Sequence, residues 1–276
     1  MAGPRKLFSC FSGGGGGRRT AAARDPSPSS EEDQPGPPAA TVVVQLFSSQ
    51  GCSTSPEAEL LLSRLGRGEL AMDGGEGLNV VVLAFHVEYW DYLGWKDPFG
   101  SSIWTVRQKA YVEALRLDTL YTPQVVVQGR AQCLGTDEDG IISAVRSAAC
   151  FPSPTLQATF QRPSKDTLQV SLKGPLGTKV DGTGADVMVA LYENGLLTDC
   201  LKGENRGKVL SNDFVVRKLE KLCAVKDISA KKNISGTVNF SLWEGFKSTK
   251  CGLVLFVQNK SLHIFGSQHF HLPEST

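Results

Sequence analysis

Residues 51–62 read GCSTSPEAELLL and follow the apolar run TVVVQLF at 41–47. Cys52 precedes Pro56, Glu57 and a set of leucines at helical spacing, which places its thiol at the start of a helix. There the unpaired N–H groups of the first turn and the positive end of the helix dipole favour thiolate, the form that attacks disulfides. In a C-x-x-C pair the second thiol, three residues on, resolves the mixed disulfide. Here that position is Ser55. A serine hydroxyl donates a hydrogen bond to a thiolate but cannot resolve a disulfide, so turnover at Cys52 needs a thiol from outside, such as glutathione. The opposing reading is a structural cysteine, since free cysteine is among the most buried residue types.

Two further stretches could complete such a site. In YTPQVVVQGRAQCLG, residues 121–135, Pro123 opens a β-branched run, a position where a cis X-Pro bond is tolerated; a cis Thr122–Pro123 bond beside Cys52 would expose the Thr122 backbone to an extended substrate. The stretch HVEYWDYLGWKDPFG, residues 86–100, carries Tyr89, Trp90, Tyr92, Trp95 and Phe99 in one loop. It either walls a pocket over Cys52, with His86 or Glu88 exchanging protons, or forms a satellite core with His86 hydrogen-bonded inside.

The elements that must position these residues follow from periodicity. Residues 41–48 and 77–87 are β-branched apolar runs of buried-strand length, and 56–67 is an apolar-periodic helix between them. Residues 102–117 read as an amphipathic helix with Ile103, Val106, Ala110, Ala114 and Leu117 near one face. Two short strands then meet in a turn at 128–130, and a helix covers 137–149. The order β-α-β-α-β-β-α is that of the thioredoxin fold, assigned to residues 41–150. After FPSP at 151–154, short alternating runs separated by Gly, Asn, Asp and Lys read as a β-sandwich-like domain over 151–276. The expected fold is thus α/β: a thioredoxin-like domain followed by an all-β sandwich-like one.

Residues 1–40, with GGGGG and a Pro/Ser/Glu-rich stretch, hold too little apolar surface to offset ordering and read as a disordered tail; their Arg/Ser/Ala bias also suits an organelle transit peptide. Lys and Arg number 29 against 28 Asp and Glu, a balance that leaves no broad electrostatic footprint for nucleic acid or anionic lipid. No apolar run approaches the roughly 18 residues of a membrane span. Seven scattered cysteines, an odd number, fit a reducing, cytoplasmic setting better than a disulfide framework. His269 and His271 share a strand face and, with His263, could imitate a metal site, but no metal is expected. Cys133 is either a distant resolving thiol or a core residue, and GENRGKV at 203–209 lacks phosphate-loop spacing and reads as a turn.

The segments LFSSQGCSTSPEAELLL, VVVLAFHVEYWDYLGWKDPFGS, RQKAYVEAL, YTPQVVVQGRAQ and GENRGKVLSNDFVVR resemble a thioredoxin-like domain-of-unknown-function family of bacteria and plants, known by an FHVDYWDYLGWKDPF-type stretch. The likeness runs from about Thr41 almost to the C-terminus and implies a thioredoxin-like fold with an active-site face around Cys52. Family members typically carry CSSCPPAD at the redox loop; here Ser55 and Glu57 depart from that pattern. Two functions follow. One is a monothiol oxidoreductase in which Cys52 and Ser55 act, Thr122, Pro123, His86, Tyr89, Trp90 and Trp95 bind the substrate, and a small thiol or protein disulfide is the partner. The other is a binding or scaffold protein that has lost turnover with its resolving cysteine.

Overall fold

Eight residues of TVVVQLFS, all buried, form β1 (Thr41–Ser48), and NVVVLAFH forms β2 (Asn79–His86), parallel to it from Thr41↔Asn79 to Ser48↔His86. Strands this uniformly apolar must be covered on both faces. Between them runs α1 (Ser55–Gly66), followed after β2 by α2 (Ser102–Ala114), β3 (Gln124–Val127), β4 (Ala131–Leu134) and α3 (Glu138–Arg146). This computed structural model describes residues 41–70, 79–179, 184–226 and 232–274; the tail at 1–40 lies outside the described residues.

The strand period of two divides the side chains. Val42, Val44, Leu46, Val82 and Ala84 meet Ala58, Leu61, Leu62 and Leu65 of α1 and Ile141 and Val145 of α3. Val43, Phe47, Leu83 and Phe85 point the other way, onto Trp104 and Tyr111 of α2. Each fully buried leucine contributes about 1.5–3 kcal/mol, so α1 is held mainly by this face.

The remaining strands are β5 (Gln157–Ser164), β6 (Thr167–Pro175), β7 (Ala185–Glu193), β8 (Leu196–Asp199), β9 (Val209–Asn212), β10 (Val215–Val225), β11 (Asn233–Ser241), β12 (Cys251–Asn259) and β13 (Ile264–His271). They overturn the expected fold class. In place of a thioredoxin-like α/β domain followed by a separate sandwich, the chain is mostly β, with one mixed sheet of eight strands ordered β13-β12-β7-β10-β2-β1-β3-β4. Four strands come from each side of residue 150. The joint is β10 on β2, a parallel contact at Val215↔Ala84, with Ala84 N donating to Phe214 O at 2.8 Å. Periodicity shows which face of a strand is buried; it does not show what occupies the edge, and here the free edge of β2 receives a strand from more than a hundred residues later. Val254, Phe256 and Ile264 of the late strands share a core with Phe47 and Phe85, while β11-β6-β5 covers the other face of β7 and β12.

The face expected of α2 is also reversed. Ile103 and Val106 are each 66 % exposed, and Trp104, Thr105, Gln108 and Tyr111 are buried. The interior under α2 is polar: Gln108 donates to Tyr121 O and Gln124 Oε1, and Tyr111 accepts from Gln45 and Gln258, while Thr105 Oγ1 and Gln124 Nε2 have no hydrogen-bond partner among the described residues. An apolar stripe therefore marked the wrong side of this helix.

Candidate functional site

Cys52 lies in the loop between β1 and α1, 5 % exposed, with its N–H on Ser49 O at 3.1 Å. The helix starts three residues later, at Ser55, so the thiol sits before the first turn rather than in it. Its acidity comes from hydroxyls. Burial raises the thiol pKa, but hydrogen bonds from the Ser55, Thr122 and Thr54 side chains and the Thr54 N–H outweigh it and leave Cys52 below the ordinary cysteine value. Sγ is 3.4 Å from Thr54 Oγ1, and the protonated thiol donates to Thr122 O at 3.6 Å. Ser55 is itself buried and accepts from Ser49 N at 3.3 Å, which leaves its proton for the sulfur.

The loop is held from several directions. Gln50 N donates to Asp97 Oδ2 at 2.7 Å, and the Gln50 side chain bonds Thr198, Asn212 and the indole of Trp95. A side chain at Gly51 would meet Trp90 Cβ at 3.0 Å, so glycine lets the aromatic loop lie on the cysteine loop. Asn205, fully buried, donates to Gln50 O and Cys52 O, each at 2.9 Å. The GENRG segment is thus a turn, as its sequence indicated, but one whose asparagine braces the thiol.

Beneath the loop, His86 is wholly buried between two carboxylates. Its Nδ1 lies 2.7 Å from Asp97 Oδ2 and its Nε2 3.2 Å from Glu59 Oε1. Burial lowers the His86 pKa, yet Asp97 and Glu59 overcome this and push it up to about 10, so the imidazolium persists at neutral pH. Asp97 is held below the usual carboxylate range, burial being outweighed by His86 and by bonds from the Gln50 and Phe99 N–H groups. Ser48 donates to Glu59. His86 consequently ties α1, β2 and the aromatic loop together and offers no surface to a substrate, which corrects its expected binding role.

Tyr89, Trp90 and Trp95 are brought to the cysteine loop. Trp90 Nε1 donates to Thr122 Oγ1 at 2.6 Å, leaving the Thr122 hydroxyl proton free for Cys52. Tyr89 donates to Gln108 at 3.1 Å; burial first, and then the nearby Cys52, push its pKa up to about 12. Tyr92 stacks on Trp90 and is 77 % exposed. Trp95 binds Gln50 and packs on Gly203, so it supports the loop from behind. The Thr122–Pro123 bond is cis, with Thr122 O beside the Cys52 thiol, and Pro123 packs against Gly135 alongside Ala58 of α1. Glu88 is exposed.

Other thiols differ. Burial raises Cys133 to about 11 and Cys251 to about 12, and Cys200 and Cys223 are also raised. Cys133 packs into the core with Val125 and its neighbours. Among the described residues all cysteines are free and no group of three or more His, Cys, Asp or Glu could hold a metal. His269 binds Tyr192 OH at 2.8 Å and packs edge-on to His271. No helix among the described residues is long and apolar enough to cross a membrane.

Fold and site together define a mostly β protein in which a down-shifted cysteine, Cys52, meets the carbonyl of the cis Thr122–Pro123 bond in a loop braced by buried polar groups. The chain belongs to the family described as protein of unknown function DUF1223, whose model matches residues 43–258. Among solved structures it is similar to protein AGR_C_4864 from Agrobacterium tumefaciens, at 26 % identity and a TM-score of 0.58, over 85 % of this chain and 96 % of that one. HBP35 of Porphyromonas gingivalis shares the fold at 14 % identity and a TM-score of 0.58, over 85 % of this chain and 76 % of its own. No curated protein matches. Gln50, Glu59, Asp97 and Asn205 were missed by sequence reasoning; Asp97 lay within the aromatic stretch already singled out, and Asn205 within the GENRG segment.

Proposed function

We propose that the protein is a monothiol thiol–disulfide oxidoreductase that works with an external thiol such as glutathione. The carrying observation is that Cys52 alone, among the described cysteines with a shifted pKa, is shifted down, by hydroxyls of Ser55, Thr54 and Thr122. The Cys52 thiolate attacks one sulfur of a substrate disulfide; that S–S bond breaks, and the departing thiolate takes a proton. An external thiolate then attacks the mixed disulfide and releases Cys52, and a second external thiol completes the two-electron reduction as its own disulfide. Thr122 and Pro123 form the face toward which an extended substrate would lie, and Tyr89 and Trp90 border it. The free cysteines suit a reducing compartment such as the cytoplasm.

The test is incubation with a glutathione-mixed disulfide of a peptide, followed by mass spectrometry and a coupled reductase assay. Expected are a single glutathione adduct at Cys52 and glutathione-dependent turnover that Cys52→Ser abolishes. An adduct spread over the exposed Cys150, or turnover retained in Cys52→Ser, would reject the reading. The second reading, a binding protein without turnover, is favoured by the 5 % exposure of Cys52, and it wins if Cys52 stays unmodified in the folded protein.

A further inference from the structure

A second feature lies at the other end of the same strands. Cys52 follows the C-terminal end of β1, whereas Thr41 at its start and Asn79 to Val82 at the start of β2 line a cavity of about 580 Å³. Eight residues of strand separate the two places by about 20–25 Å. The cavity lies where β10 meets β2 at one position, Val215↔Ala84, so that among the described residues the earlier half of β2 has no strand on that side. Phe214 forms a wall. Its φ of 56° lies in the left-handed region, and it is held there by Asn194 Oδ1 on its N–H and by its own carbonyl on Ala84 N, both at 2.8 Å. A side chain at Gly66 would strike the Phe214 ring at 2.5 Å, so that glycine admits the ring to its place.

The lining combines an apolar body with sparse, uncharged polar groups. Val80, Val82, Leu156, Tyr192 and Phe214 supply the body, and among the described residues the lining contains no Asp, Glu, Lys or Arg. One of its polar groups has no partner among the described residues: the Ser267 hydroxyl is 0 % exposed and makes no hydrogen bond there. An unpaired buried hydroxyl costs about 1–3 kcal/mol, which a ligand group reaching it would recover. His269, also lining, is engaged by Tyr192; burial, and next the neighbouring His271, lower its pKa to about 4, so it is neutral at pH 7. The volume falls in the range of small-molecule sites, which are mostly apolar with a few placed polar groups.

We propose that this cavity binds an uncharged, largely apolar small molecule carrying one hydroxyl or carbonyl group, which pairs with the Ser267 hydroxyl. An ionised ligand would find no counter-charge among the described residues of the lining, and a purely apolar one would leave Ser267 unpaired. The site is separate from Cys52 and does not depend on the thiol chemistry.

The test uses the full chain and N-phenyl-1-naphthylamine, an uncharged dye that brightens in apolar surroundings, displaced by 2-naphthol or by 2-methylnaphthalene. Saturable binding at one site per chain is expected, with 2-naphthol displacing the dye about three- to tenfold better than the methyl compound. Ser267→Ala should erase that preference. Thr155→Trp, at an exposed lining position, should weaken dye binding about tenfold or more by filling the mouth, and Cys52→Ser should leave it unchanged. Absence of saturable binding by the full chain, or binding that Thr155→Trp leaves intact, overturns the site. Retention of the hydroxyl preference in Ser267→Ala overturns the role given to Ser267.

Discussion

His86 is a cation buried between Glu59 and Asp97, and its removal should be felt across the whole cysteine loop. A folded-state pKa of about 10 against 6.5 is a preference for the imidazolium of about 5 kcal/mol. Because that pKa is raised on folding, the stabilisation is complete below pH 6.5 and is lost as pH rises from there through about 10. Cys52, whose pKa is lowered, contributes the opposite slope at the alkaline end, so the measurement belongs in a Cys52→Ser background. Urea unfolding followed by tryptophan fluorescence from pH 6 to 10.5 should show stability falling through this window. His86→Leu leaves two buried carboxylates without their cation, at a cost of about 3–5 kcal/mol at pH 7. For a chain of this size that lowers Tm by about 6–20 °C. The same variant should lose the alkaline slope, and adding Glu59→Gln and Asp97→Asn should restore much of the loss by removing the unpaired charge. A His86→Leu protein within 1 kcal/mol of its parent, or one with the same alkaline decline, would refute the reasoning.

Three other outcomes are expected. Asn205→Ala strips two buried carbonyls of their donor, at a cost of about 1–3 kcal/mol each, and should lower Tm by about 4–24 °C in calorimetry. Ser55→Cys places a second sulfur three residues after Cys52, at the first residue of α1, and mild oxidation with mass spectrometry should find a Cys52–residue 55 bridge together with insulin reduction that no longer needs glutathione. Trp90→Phe removes the indole that orients the Thr122 hydroxyl, and the Cys52 pKa read by thiolate absorbance at 240 nm should rise toward the ordinary value, with Tm little changed.

The parts of the molecule that are local were legible in the sequence. The buried strands at 41–48 and 79–86, the helices around them and the turn at Gln128 and Gly129 follow from periodicity and turn chemistry over a few residues, whereas the cis bond before Pro123 is expected from its place in the element order. What failed depends on distance. Nothing near Ala84 indicates that Val215 will lie beside it, and so the two halves of the chain looked like two domains. The polar interior under α2 misled for a related reason: Gln108 and Tyr111 lie off the apolar stripe read for this helix, and their burial depends on distant partners, Gln45, Gln124 and Gln258. At the site, Cys52 and Ser55 were visible because C-x-x-S departs from a dithiol pattern. Glu59 and Asn205 were not, since a lone acid on a helix and an asparagine in a turn are ordinary surface choices until a buried partner is found.

The most direct measurement is the rate of iodoacetamide alkylation at Cys52, followed by mass spectrometry of the folded protein from pH 5 to 10. Burial will slow the absolute rate, but the midpoint of the pH profile reports the thiol itself. If Ser55, Thr54 and Thr122 acidify Cys52, the midpoint lies below that of a free cysteine measured alongside, and rises in Ser55→Ala. A midpoint at or above that of a free cysteine, or a thiol that stays unmodified until the protein unfolds, would contradict the oxidoreductase reading and leave Cys52 a structural residue.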